Sequence, residues 1–210
     1  MIISILVDNI NSWAVPYANK LFEQIKIKHS AFLIHDQKEI QNGDIAIFLS
    51  CEKLVKKDIL GRNKHNLVVH ASPLPQGKGF SPLTWQILEG KNDITLTLFE
   101  AVEAVDAGLI YDQATINFSG HELMDEMRLS LGNKINDLIN NFLNHYPNIR
   151  GAEPIGKESF YRRRTKDDSE LNPEKTIAEQ FNILRVVDNE RYPAFFLYRG
   201  HKYILKIFKS

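Results

Sequence analysis

His70 and Asp106 are the residues whose types and settings carry chemistry furthest in this chain. His70 closes the apolar run Leu67-Val68-Val69 and is followed by Ala71-Ser72-Pro73-Leu74-Pro75-Gln76-Gly77-Lys78-Gly79, a loop by composition. Asp106 lies in Val105-Asp106-Ala107-Gly108, a short turn between two apolar segments. A carboxylate brought beside an imidazole orients the ring and positions a proton-accepting water, a pairing suited to general acid–base transfer at neutral pH. Each residue also has a plainer reading. A histidine at a strand end is often structural, and an acidic turn residue commonly forms an Asx-turn. Cys51, the single cysteine, reads as a small packing residue rather than a nucleophile.

The elements that must position these residues are legible from periodicity. Ile2 to Val7 is a β-branched run that reads as a buried strand. Asp8 to Ser12 is a polar loop, and Ser12 suits the cap of a helix through Val15, Ala18, Leu21, Phe22 and Ile25. Ala31–Ile34, Asp44–Leu49 and Leu67–His70 read as further strands, with a short helical piece around Lys53 to Leu60. This alternation predicts an α/β fold, a Rossmann-like and largely parallel sheet with helices on both faces. In such sheets ligands collect where strands end in loops, which is where His70 falls. Pro82 to Leu88 reads as a helix ended by Gly90, and 93–99 and 109–118 read as strands. A long amphipathic helix spans about His121 to Tyr146. Residues 1–150 form the expected catalytic domain. Residues 151–210 form a C-terminal appendage: an irregular Arg-rich stretch over 158–169, a helix through Ile177, Phe181 and Leu184, and a hairpin about Arg199-Gly200.

Composition narrows the classes. The 210 residues are 43% hydrophobic and 25% charged, enough for a sizeable core, so a disordered chain is not expected. Lys plus Arg equals Asp plus Glu at 26 each, so no global field selects nucleic acid or an anionic membrane. A lone cysteine, no bilayer-length apolar run and a start without a basic flank fit a cytoplasmic protein.

His70-Ala71-Ser72-Pro73-Leu74-Pro75, with Lys78-Gly79-Phe80-Ser81-Pro82, Trp85 and Gly90, resembles the His-x-Ser-x-x-Pro signature of the formyltransferase family. That family includes methionyl-tRNA, glycinamide ribonucleotide and sugar N-formyltransferases. Asp106-Ala107-Gly108-Leu109-Ile110 resembles its Asp-x-Gly-x-[Ile/Leu] loop, and Phe160 to Asp168 its Tyr-x-[Pro/Arg]-Arg-Arg-Thr-x-x-Asp segment. Thr176–Val187 and Tyr192-Pro193-Ala194-Phe195-Phe196 continue the likeness. One position departs from it. Val68 stands where the family has Asn, and Asn66, on the same strand face but roughly 6.6 Å farther along, is a candidate substitute whose plainer reading is a turn cap after His65.

The resemblance implies transfer of a formyl group from N10-formyltetrahydrofolate to a primary amine, with His70, Asp106 and Asn66 catalytic and no metal. Ser50, Leu54, Val55 and Asp106 would then bind the folate. Asp8, Asn9, Asn11, Ser12 and Trp13, in the first loop, would face the acceptor, since hydrogen-bonding groups beside an aromatic ring suit a sugar. Ser72 is a further contact or oxyanion donor. Lys78, replacing a family Arg, is set to touch an anion on the acceptor. The compact form is similar to small enzymes acting on amino sugars of the pseudaminic or nonulosonic type, free or nucleotide-linked. A homodimer stays open, and neither nucleic acid nor membrane is an expected partner. The alternatives are an inactive folate- or sugar-binding relative, a methionyl-tRNA or peptide-synthetase type of formyltransferase, and a module that pairs through its hairpin edge.

Overall fold

The computed structural model describes residues 1–210. Its centre is a six-stranded sheet of β1 (Ile2–Leu6), β2 (Ser30–Ile34), β3 (Gly43–Phe48), β4 (Asn63–His70), β6 (Asp93–Glu100) and β7 (Ile110–Asn117), ordered β2-β1-β3-β4-β6-β7. The first four run parallel. β6 runs antiparallel to both β4 and β7. A two-residue strand β5 (Lys78–Gly79) pairs in parallel with β8 (Phe160–Tyr161), and β9 (Ala194–Tyr198) forms the terminal hairpin with β10 (His201–Leu205). No helix is long and apolar enough to cross a membrane.

Period-two alternation sorts the sheet's side chains. Ile3, Ile5 and Val7 face the larger core, where α1 (Val15–Ile25) contributes Ala18, Leu21 and Ile25. To the same core α4 (Met124–His145) adds Met127, Leu131, Leu138, Ile139 and Phe142. Leu6, Ala46 and Phe48 face a smaller core closed by Ile34, Ile40 and Ile59, the last from the four-residue helix α2 (Lys57–Leu60). Both faces are covered, unequally.

Several elements differ from expectation. Residues 51–56 are not helical; the Asp8 carboxylate takes the Glu52 and Lys53 amides and holds the start of that segment to the first loop. Ser12 does not cap α1. Its hydroxyl accepts the Ala14 amide one turn earlier, and α1 opens at Val15 with Pro16 in its first turn. The stretch over 158–169 is only partly irregular. It holds β8 and a 3₁₀ turn, Lys166–Ser169, whose capping box is Thr165 and Asp168. The helix through Phe181 is split into a 3₁₀ turn, Ala178–Gln180, and α5 (Phe181–Arg185). At the hairpin tip Arg199 and Gly200 both take positive φ, 48° and 79°, as a type I′ turn demands.

The C-terminal segment has a small core of its own in Leu171, Leu184, Val187 and Ala194. Arg185, only 1% exposed, ties it to the rest. Its guanidinium donates to the Glu122 carbonyl at 3.1 Å, to Asn92 Oδ1 at 2.9 Å and to Asn182 Oδ1 at 3.1 Å, and meets the Glu122 carboxylate at 3.3 Å.

Two outcomes follow from these ties. Arg185→Met leaves the Glu122 carboxylate without its cation and costs about 3 kcal/mol, seen by calorimetry as a melting point lower by roughly 6–12 °C. The Arg162 guanidinium beside Asp168 holds its carboxyl at about 2, below the ordinary 3.8. A depressed carboxyl contributes stability above its unfolded value and loses it as pH falls through the folded one. Asp168→Asn therefore lowers urea-unfolding stability by about 1 kcal/mol at pH 7, and the deficit shrinks as pH falls below about 4 toward 2.

Candidate active site

His70 is the last residue of β4, so its ring emerges where that strand gives way to the 71–81 loop. Its Nε2 lies 2.8 Å from the Gly77 carbonyl. A carbonyl only accepts, so this contact fixes the proton on Nε2 and leaves Nδ1 as the acceptor of the neutral ring. The loop itself is held throughout. Ser72 Oγ donates to the Gln76 carbonyl at 2.8 Å, Thr97 Oγ1 to the Ser72 carbonyl at 2.7 Å, and Gln86 Nε2 to the Ala71 carbonyl at 2.6 Å. Farther along, the Gly77 amide donates to Ser159 Oγ at 2.8 Å, and β5 pairs with β8. Gly79 permits that pairing. Its φ is +98°, and a Cβ there would lie 2.4 Å from the Tyr161 carbonyl oxygen.

Asp106 arrives by a less direct route. Because β6 is antiparallel to β4, its last residue, Glu100, sits opposite Leu67, three residues short of His70. The following loop must double back to reach the imidazole. Its base is closed by the Glu100 amide on the Leu109 carbonyl and the Ala101 amide on the Asn66 carbonyl, and Ala101 packs with Val68 on the smaller core. Gly108 is forced at this closure, since a Cβ there would lie 1.8 Å from the Glu100 carbonyl oxygen. At the tip Asp106 takes φ +50°, a left-handed conformation that Asp tolerates. One carboxylate oxygen accepts the Gly79 amide at 2.8 Å and stands 3.7 Å from His70 Nε2. Both side chains are about nine-tenths buried.

His70 opens on a cavity of about 420 Å³, inside the range of small-molecule sites. Ser12, Trp13 and Ser50 reach it from the sheet loops, Met124 and Arg128 from α4, and Arg163, Arg191 and Tyr192 from the C-terminal segment. Cys51 also borders it, but burial pushes its thiol up to about 12, so it stays protonated and is a poor nucleophile. Glu52 is held below the usual carboxylate range by hydrogen bonds from Asn9 and Arg191 and remains an anion.

Other expected site residues are spent elsewhere. Asn66 does not reach His70. It lies four residues back, about 13 Å by strand rise, and its Nδ2 is given to the Leu60 carbonyl at 3.0 Å. Leu54 is 71% exposed and outside the cavity, while Val55 packs on the smaller core and lines a separate 120 Å³ hollow. Asp8 accepts the Glu52 and Lys53 amides at about 3 Å, Asn9 bonds Glu52 and the Asn11 amide, and Asn11 is exposed; all three shape the loop rather than line the cavity. Ser72 is fully buried within its own loop. Lys78 is buried and paired with Glu158, so it faces no acceptor. Within 162–164 the three guanidiniums part ways. Arg162 stacks on Trp85 and pairs with Asp168; Arg164 is buried on the Val186 carbonyl and Ser169 Oγ; only Arg163 is exposed at the cavity. Arg128 and Arg191 are cavity residues that sequence reasoning missed. Arg128 had a signal, being a charge in the apolar stripe Met124, Leu131, Ile135; Arg191 had none.

A family model for formyl transferase matches residues 20–139, more than half of the chain. The chain belongs to the formyltransferase family. Among curated proteins it is 25% identical over 189 residues to methionyl-tRNA formyltransferase of Malacoplasma penetrans, covering 86% of this chain and 57% of that relative's length. Among solved structures it superposes on methionyl-tRNA formyltransferase from Clostridium thermocellum with TM-score 0.82 and 21% identity, covering 96% of this formyltransferase chain and 89% of the other. A 4-N formyltransferase from Francisella tularensis follows at TM-score 0.72 and 16% identity, covering 98% and 96%. HypX from Aquifex aeolicus in complex with tetrahydrofolic acid gives 0.74 and 16%, covering 98% of this chain and 37% of that one. At these identities the structural likeness is one of fold.

Gly108→Ala drives a methyl group into a backbone carbonyl and must open the loop that carries Asp106. The expected result is a destabilisation of about 2 kcal/mol or more, measured by urea unfolding.

Proposed function

We propose that this protein is an N-formyltransferase that moves a formyl group from N10-formyltetrahydrofolate to the primary amine of a small amino sugar, and that His70 and Asp106 are its catalytic residues. The observation that carries this reading is their meeting at 3.7 Å beside a small-molecule cavity, although one ends β4 and the other sits on the loop after the antiparallel β6.

The residues fit a folate. Val102 and Val105, 43% and 40% exposed, flank Asp106 on its loop, and no backbone N–H of residues 102–108 donates to another backbone group. Apolar side chains beside free amides suit a flat ring with amide-like edges. N10-formyltetrahydrofolate would supply the formyl carbon in an activated state. With Nε2 committed to the Gly77 carbonyl, His70 donates to the oxygen that gains negative charge through Nδ1 of the protonated ring, an effect worth about a hundredfold to a thousandfold in rate. Asp106 accepts the proton released by the attacking amine, directly or through one water, and attracts the positive charge that grows there; as the N10–formyl bond breaks, N10 takes up a proton and tetrahydrofolate leaves. Held by the Gly79 amide, it needs no rearrangement to do so. Val68 offers no donor where the family has Asn, and Asn66 is too far away, so the burden on the His70 donor is larger.

The choice of a small acceptor rests on the cavity's size and on the equal counts of cations and anions in the chain. Trp13 beside Ser12 gives a sugar an apolar face and a hydroxyl partner. A nonulosonic or pseudaminic-type acceptor, free or nucleotide-linked, suits those groups, and the unpaired Cys51 fits a cytoplasmic setting.

The test is tetrahydrofolate release by purified protein given the formyl donor and a panel of amino sugars. Release with at least one of them is expected. His70→Ala abolishes it while leaving the melting point within about 2 °C, and Asp106→Asn lowers turnover by about a hundredfold or more with folate affinity nearly unchanged. Release from neither wild type nor any variant, or full activity in His70→Ala, overturns the assignment.

A further inference from the structure

We propose that the cavity beside His70 selects an acceptor that itself carries an anion, a carboxylate or a phosphate, and that Arg163 is the residue that seats it. This rests on the formyl-transfer reading for the identity of the reaction, not for the anion site itself.

The argument is one of charge and presentation. Four guanidiniums border the cavity, those of Arg128, Arg163, Arg164 and Arg191, against the carboxylates of Glu52 and Asp188. Arg128 is matched to Asp188 at 2.8 Å and Arg191 to Glu52 at 3.1 Å. Arg164 is buried, with one terminal nitrogen on the Val186 carbonyl at 2.6 Å, the other on Ser169 Oγ at 2.8 Å, and its Nε without a partner. Arg163 alone is exposed there without a carboxylate partner. Its one protein acceptor is the Glu52 carbonyl, at 3.3 Å.

It is also held in place. The guanidinium lies over the Phe80 ring, 4.2 Å from its centroid, and Phe80 follows Gly79 directly. A guanidinium held over a ring keeps N–H groups available beyond the one on the Glu52 carbonyl, and a planar fork of such donors grips a carboxylate or phosphate in two places. A cation fixed in advance loses little side-chain entropy on binding. Gly79 is the residue whose amide holds Asp106. The anion seat and the proposed base are thus joined through two consecutive residues, so an acceptor clamped by its anion is positioned relative to the chemistry. A solvated arginine on an open surface has none of these features. The cavity's volume and the chain's equal charge counts favour a small anionic amine over a polyanion.

The experiment is calorimetric titration of the full chain with inorganic phosphate, inorganic pyrophosphate and acetate at low ionic strength. At least one of these is expected to bind, and the preferred anion distinguishes a phosphate-bearing from a carboxylate-bearing acceptor. Arg163→Gln weakens that binding about tenfold or more without moving the melting point, as suits an exposed side chain. His70→Ala binds the same anion like wild type. In turnover, Arg163→Gln raises KM for glucosamine 6-phosphate relative to glucosamine by a similar factor and leaves kcat alone. Absence of binding for all three anions, or equal binding in Arg163→Gln, overturns the proposal. Because the titration involves no formyl donor, anion binding without any tetrahydrofolate release supports the seat while sinking the transfer reaction.

Discussion

A single hydrogen bond, from the Gly79 amide to the Asp106 carboxylate at 2.8 Å, holds together two loops that the sheet alone would keep apart. β6 ends beside the middle of β4 rather than beside His70, so the 101–109 loop runs back along the strand toward the imidazole. That return is possible only because Gly108 lets the loop close against Glu100 and because Asp106 accepts a left-handed backbone at the tip. The Gly79 bond then settles the carboxylate at a fixed point, sharing the task with the Gly77 carbonyl that settles the ring. Positioning is finished before any ligand arrives, the condition under which fixed dipoles and charges lower a barrier most.

The other half of the constraint comes from the C-terminal segment. β8 lays two residues beside β5 and stiffens the loop after His70, and Arg163, Arg191 and Tyr192 close one side of the cavity. Arg185 anchors this segment from within, its four hydrogen bonds spread over Glu122, Asn92 and Asn182. The segment is therefore part of the site's architecture. Its paired arginines, Arg162 and Arg164, maintain shape, and the one between them faces the cavity.

Burial decides which of the chain's reactive groups remain available. Cys51 and Lys78 both lie close to the centre, yet one is silenced by desolvation and the other by its pairing with Glu158. Side chains expected at the acceptor, Asp8 and Asn9 among them, are consumed in shaping loops, because each satisfies backbone amides or neighbours that would otherwise lack partners. A polar residue near a site is thus no guide to its role until its hydrogen bonds are counted.

Sequence alone determined the α/β alternation, most strands of the sheet, the amphipathic face of α4, the terminal hairpin and the candidate pair His70 and Asp106. These are local properties: periodicity, turn chemistry and short motifs recorded in neighbouring residues. It did not reveal the β5–β8 ladder, the partition of the three consecutive arginines, the loss of Asn66 to Leu60, or the entry of Arg128 and Arg191 into the cavity. Each of those depends on which direction a strand runs and on what lies opposite a side chain, often a hundred residues away along the chain. Only tertiary packing settles that, since it alone decides which donors and acceptors are paired within the protein and which are left to meet a ligand.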